Sequence, residues 1–363
     1  MPRMCWRNIK KISHRCGPSC ADSMCISVAV AAAGGACTGG TLQTSDALGA
    51  AAVQLGPTAV AVAASFNKQL GLTFSKIGTV FADRFGLTVT RGALVRAVHR
   101  VAAKAQPTYT ALCATVKTSA MVVADETGWR VHAELHWLWV FTTPDTTVYA
   151  ILPGRGFAEA ASVLGRDFAG ILVRDGWAPY RQFTAALHQT CVAHLLRRSR
   201  QLQTDHPRAR IPGEVQDLLQ RALAVRDRYA AGAISEHGVA VARGHLERQL
   251  AHMLARRTVV PDVQRFVTHL DREWVALFGF LHAPAVDATN WRAEQAIRPA
   301  VITRKVNGGG NRTAHGAATQ QVVASVLRTA RQRDLDGIDV LRTLLRAPRP
   351  IVSPDLFSRA SPH

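Results

Sequence analysis

Two aspartates in this chain sit in matching surroundings. Met121-Val-Val-Ala-Asp125-Glu-Thr-Gly runs apolar residues, two of them β-branched, into an acid and then a glycine. Gly170-Ile-Leu-Val-Arg-Asp175-Gly-Trp repeats the design. Each reads as a short buried strand delivering a carboxylate at its end, with a turn behind it. One such aspartate is ordinarily a turn former. Two of them predict neighbouring strands of one sheet that present carboxylates at the same edge, an arrangement that holds divalent metal ions.

Another acid stands in Asp287-Ala-Thr-Asn290-Trp-Arg-Ala-Glu294-Gln-Ala-Ile-Arg298. Thr289 or Asn290 caps a helix here, and Asn290, Glu294 and Arg298, four apart, then share one face. A solvated Asn/Glu/Arg ladder has the same spacing. The next residues argue for more, because Arg304, Lys305 and Arg312 flank a glycine-rich loop that can approach phosphates closely. Earlier, Cys191-Val-Ala-His194 has the spacing of a metal-binding pair, but no second pair lies nearby. The expectation is a packed cysteine and a capping or site-lining histidine, with Asn290 a further candidate to line the site.

The elements that must position these residues follow from periodicity. From residue 121 the chain reads as strands at 121–125, 136–143 and 147–152, with Pro144-Asp145 as a hairpin turn. A short helix at 157–164 and a strand at 171–174 come next, after Gly154-x-Gly156, which is too short for a dinucleotide loop and reads as a turn. Three antiparallel strands, a helix and a further strand are the order of a ribonuclease H-like sheet. The expected fold class is therefore α/β, a mixed sheet flanked by helices. Residues 201–282 read as a helical insertion between the second acid and Glu294. A last helix covers 317–331 and a Pro/Ser-containing tail starts at Pro348.

Ahead of the sheet, residues 59–70 and 73–85 read as helices, and Gly86 ends the second. Thr88-Val-Thr-Arg-Gly opens another, with Leu94, Val95, Val98 and Val101 inside and Arg91, Arg96 and Arg100 along it. Helix, glycine turn and basic helix make a helix-turn-helix candidate, and an ordinary helical hairpin fits the spacing equally. Pro107 is expected to begin the link to the sheet. The divisions are 1–44, a divergent amino-terminal segment; 45–117, helical and DNA-binding; 118–200 with 283–335, the core; 201–282, the insertion; and 336–363, a helix and tail.

Composition narrows the class of partner. The 363 residues carry a formal net charge of +19. Residues 1–120 hold 13 Lys/Arg against Asp22, Asp46 and Asp83 alone, so the excess is more than scattered solubilising charge. Such a protein meets a polyanion, and nucleic acid comes first. Cys5, Cys16, Cys20, Cys25 and Cys37 crowd the start; an odd total and the loose spacing argue against a disulfide framework and against a formed zinc site. Residues 26–33 are too short and late for a signal peptide, and 47–66 are broken by Gly49, Gln54, Gly56 and Pro57. The expectation is a cytoplasmic, nucleoid-associated protein without a membrane span.

With these stretches placed, the chain resembles transposases of the insertion sequence 66 family. The residues that carry the likeness are Asp125-Glu-Thr-Gly-Trp-Arg, Val173-Arg-Asp175-Gly-Trp-Ala-Pro-Tyr180, Cys191-Val-Ala-His-Leu-Leu-Arg and Asn290-Trp-Arg-Ala-Glu294-Gln-Ala-Ile-Arg-Pro, in this order. The match spans roughly residues 45–345. The resemblance implies a ribonuclease H-like core with an Asp-Asp-Glu triad, carried onto Asp125, Asp175 and Glu294. Glu126, next along a strand, would face away from Asp125. It also implies two Mg²⁺ ions, which Mn²⁺ can replace, about 4 Å apart, and metal-dependent cleavage and strand transfer at the ends of an insertion sequence. The partners implied are the element's terminal repeats, target DNA, further copies of the chain and accessory proteins of the element. Arg298, Arg304, Lys305 and Arg312 are the candidates for backbone contacts. The start departs from the family, whose full-length members carry a coiled coil and a zinc-binding segment ahead of the helical region. An amino-terminally truncated, catalytically impaired remnant that binds DNA is therefore the alternative, and a structure-selective nuclease without strand transfer is a third reading.

Overall fold

The computed structural model describes residues 28–30, 53–283, 285–306 and 309–352. The five amino-terminal cysteines and the tail from residue 353 lie outside them, as do Asn307 and Gly308 of the glycine-rich loop. The other two cysteines, Cys113 and Cys191, are free thiols. The chain divides into two compact units, Met1–Thr108 with Ala318–His363, and Tyr109–Ala317.

In the first unit, β1 (Val28–Val30) pairs antiparallel with β2 (Val53–Leu55). Helix α1 (Pro57–Lys68) starts on a proline, whose missing N–H costs nothing there, and buries nearly every residue of its middle. Its small alanines let it pack against α11 (Gly337–Arg346). Helix α2 (Phe74–Phe85) is capped by the Thr73 hydroxyl, which accepts from Lys76 N–H, and ends at Gly86 with φ 65°. Both boundaries match the sequence signals, because a capping hydroxyl and a left-handed glycine are local devices. Helix α3 (Arg91–Lys117) differs from expectation: Pro107 lies inside it instead of starting a link. The lost backbone bond is outweighed by burial on either side, where Val101, Ala105, Thr108 and Leu112 are all inaccessible or nearly so.

The second unit is built on a mixed sheet. Strands β3 (Met121–Val131), β4 (Glu134–Thr142) and β5 (Thr147–Leu152) form an antiparallel meander. Helix α4 (Phe157–Leu164) then crosses to β6 (Ile171–Arg174), and β7 (Leu187–Thr190) follows. The strand order is β5-β4-β3-β6-β7, with β6 parallel to β3 and β7 parallel to β6. Strand β3 is longer than the sequence suggests. It was expected to end at Asp125, but it stays paired with β4 through Val131 and turns at His132, which has φ 57°. Gly128, a turn signal in sequence, stays extended opposite Trp137.

Helix α5 (Val192–Asp205) leaves the sheet after β7 and leads into α6 (Arg210–Ala230), α7 (Glu236–Leu254) and α8 (Pro261–Arg272). Two short 3-10 turns, Trp274–Ala276 and Gly279–Leu281, bring the chain back. Helix α9 (Trp291–Val306) packs on β3 and β4. The glycine-rich loop then contributes β8 (Gly310–Asn311), which pairs with the far end of β3. A Cβ at Gly310 would collide with the Arg130 carbonyl, so this pairing requires glycine. Helix α10 (Ala314–Gln332) follows.

Candidate active site

Register places the two aspartates. Val123 on β3 pairs with Val173 on the parallel β6, so Asp125 and Asp175 each lie two residues beyond a matched pair. Both acids therefore lie at the same level of neighbouring strands, whose spacing is about 4.8 Å. Asp125 sits within β3, opposite Val140, and Asp175 lies just past the end of β6. The Asp175 carboxylate accepts from the Trp177 backbone N–H at 2.9 Å, which holds the turn after the strand.

Glu294 comes from the first turns of α9, whose position is set at two points. The buried Tyr149 hydroxyl of β5 donates to the Ala296 carbonyl at 2.5 Å. Near the other end, Arg304 donates to Thr127 Oγ1 at 3.2 Å and to the Gly128 carbonyl of β3. Arg304 is thus engaged with the sheet, whereas Arg298, Lys305 and Arg312 are exposed, as are Arg91, Arg96 and Arg100 on α3. The Asn290, Glu294, Arg298 face is not uniformly solvated. Asn290 is fully buried, Glu294 is half-exposed and Arg298 is open. Neither atom of the Asn290 amide has a protein partner, while its backbone N–H donates to Cys191 Sγ at 3.3 Å. Cys191 is buried at the start of α5, as expected of a packed thiol. His194, one turn on, brings Nδ1 to 3.8 Å from Glu294 Oε1.

The electrostatics tie the three acids together. Burial raises the Asp125 carboxyl to about 7, and the carboxylates of Glu126, Asp175 and Glu294 all add to the shift. Asp125 therefore feels both of the other acids. Glu126 is also raised, first by burial and then by Asp175. It is nonetheless well paired: Tyr180 donates to it at 2.5 Å and Arg155 at 2.7 Å. Arg155 is itself sandwiched between the Trp137 and Trp177 rings, 4.7 and 4.0 Å from their centroids. Glu126 is thus satisfied by an internal cation and a phenol, whereas Asp125 accepts one bond, from the Glu126 N–H. Among the described residues no three His, Cys, Asp or Glu side chains already form a closed metal-binding group.

A cleft of about 530 Å³ opens beside Asp175 and is walled by His194, Arg197, Arg198 and His269. Asp125 and Glu294 do not line it. Gly176, directly after Asp175, has no room for a side chain, because a Cβ there would strike the His269 ring of α8. Beneath it, Arg174 is 1% exposed and pairs with Glu273, also 1% exposed, at the end of α8. Glu273 further accepts from Arg181 at 2.8 Å and from the Thr190 hydroxyl. Burial alone would raise the Glu273 carboxyl, but Arg174, Thr190 and Arg181 together hold it below its ordinary value. Sequence reasoning missed this network, the Arg155 sandwich and the arginines of α5. One signal was present: a charged Arg174 inside an Ile-Leu-Val strand needs a buried partner.

A protein-family model described as Transposase IS66 family matches residues 52–319, which contain all three acids and the insertion. No curated protein matches the chain.

Proposed function

Because the chain belongs to the transposase IS66 family, we propose that Asp125, Asp175 and Glu294 form a metal-dependent centre that cleaves DNA strands and joins them at the ends of an insertion sequence. The single observation that carries this reading is the register of β3 and β6, which sets Asp125 and Asp175 at matched positions on neighbouring strands inside the stretch that matches the family. An antiparallel meander followed by two parallel strands supports a ribonuclease H-like reading of the core.

The donor set suits a hard divalent cation, since three carboxylates that repel one another are relieved by positive charge. Asp125, Asp175 and Glu294 would hold Mg²⁺, as two ions, or Mn²⁺ in its place. Bound there, such ions supply an activated water or 3′-hydroxyl and stabilise the leaving oxygen. Glu294 is half-exposed and only loosely approached by His194, so its side chain is free to swing toward the aspartates. Arg197 and Arg198 present positive charge along the cleft beside Asp175 and suit a phosphodiester backbone. Arg298, Lys305 and Arg312 extend that charge beyond α9. The exposed arginines of α3 would grip terminal repeats, and synapsis of two ends calls for further copies of the chain.

The test is Mg²⁺- or Mn²⁺-dependent nicking of a labelled duplex that carries the element's own end. Asp125→Asn, Asp175→Asn and Glu294→Gln should each abolish nicking and leave duplex binding largely intact. A variant that nicks at the wild-type rate would remove its residue from the centre. Tight binding without nicking by the wild type would favour a DNA-binding remnant, and nicking without joined products a structure-selective nuclease.

A further inference from the structure

The Arg174–Glu273 pair links two parts of the chain that have no local reason to meet. Arg174 is the last residue of β6 and precedes Asp175; Glu273 ends α8, at the close of the helical insertion. Both are buried to within 1% of full inaccessibility. Arg174 Nη1 donates to Glu273 Oε2 and also to Thr190 Oγ1 at 2.9 Å and the Asp175 backbone carbonyl at 3.0 Å. The cation therefore already sits against the backbone of the second acid. What it does not touch is the Asp175 carboxylate, which is taken by the Trp177 N–H instead.

We infer that Glu273 is a positioning residue for the acid centre: it holds the Arg174 guanidinium away from the Asp175 carboxylate and so leaves that carboxylate free for a divalent cation. The inference rests on the reading of Asp175 given above. A buried guanidinium without a counter-ion is costly, and it turns to the nearest carboxylate. With Glu273 neutralised, the carboxylate adjacent in the chain is that of Asp175, whose backbone carbonyl the guanidinium already meets. Arg181, a third exposed and also bound to Glu273, can turn to solvent and does not compete. The insertion therefore contributes to the centre through charge, without supplying a metal-holding residue of its own.

Mn²⁺ binding to the full chain without DNA, followed by the loss of free-ion paramagnetic resonance signal, tests this apart from catalysis. Wild type should bind, and Asp175→Asn should not. Glu273→Gln should weaken binding by about tenfold, the usual effect of disturbing a group that supports a metal-holding residue. The decisive variant is Arg174→Met with Glu273→Gln. It contains no lone buried charge, and replacing a buried pair by apolar bulk is often neutral for stability. It should bind Mn²⁺ as wild type does. A merely structural role predicts the opposite, a double variant no better than Glu273→Gln. That result, or unchanged binding in Glu273→Gln, overturns the inference while leaving the acid centre in place. Absence of Asp175-dependent Mn²⁺ binding in the wild type overturns the centre itself and the inference with it.

Discussion

Burial first, and the carboxylates around it second, give Asp125 a pH dependence that titration can check. Its folded carboxyl is raised to about 7, while an unfolded aspartate titrates near 3.9. Below about pH 4 the group is protonated in both states and exacts no penalty. As pH rises toward 7 the unfolded chain ionises first, the folded state holds the extra proton, and stability falls. Thermal unfolding of the metal-free protein should therefore show a decline between about pH 4 and pH 7, on the order of a few kcal/mol. Asp125→Asn should flatten that decline; an unaltered profile would mean that the carboxylates do not press on Asp125. Divalent cation should restore stability above pH 7, because it neutralises the buried, ionised carboxylate there. Glu126 belongs to a different task despite its adjacency. Tyr180 and Arg155 satisfy it, so Glu126→Gln disturbs packing under the sheet more than it disturbs cation binding.

At the scale of elements, the insertion touches the strand end that carries Asp175 twice, at Glu273 and at His269. Gly176→Ala places a methyl group against the His269 ring and should cost about 1–3 kcal/mol, the usual effect of overpacking. Urea titration measures this, and His269→Ala in the same chain should recover most of the loss. A Gly176→Ala protein as stable as wild type would show that α8 does not press on this turn. Elements defined by local signals were legible in the sequence. Thr73 and Gly86 bound α2, a three-residue apolar run gives β6, and the placement of Asp125 and Asp175 on neighbouring strands followed from two like stretches. What escaped depends on distant partners. Strand β3 outruns Asp125 because β4 offers a ladder to Val131, and α3 runs through Pro107 because its flanks are buried. The glycine-rich loop, read as a phosphate-facing segment, supplies a strand whose Asn311 accepts from the Trp129 indole at 2.8 Å. Arg174 announced that it needed a counter-ion, but no periodicity could say that the counter-ion was Glu273.

For the molecule as a whole, a net charge of +19 predicts binding governed by phosphates. Affinity for duplex should fall steeply with salt, and replacing Arg91, Arg96 and Arg100 together by alanine should lower the slope of log affinity against log salt by up to about three. A slope that does not change would place the duplex elsewhere on the protein. No helix among the described residues is long and apolar enough to cross a membrane. One feature of the fold also bears on how such a protein is made. Helix α9, which carries Glu294, is seated by Tyr149 and Arg304, and it follows every helix of the insertion in the chain. A ribosome releases Asp125 and Asp175 long before it releases Glu294. On the proposed Asp125, Asp175 and Glu294 centre, a nascent or prematurely terminated chain would hold the basic helices and two of the acids and should not nick DNA. If the three acids act together as proposed, the order of the residues along the polypeptide would act as a safety catch, released when synthesis has passed the last acid.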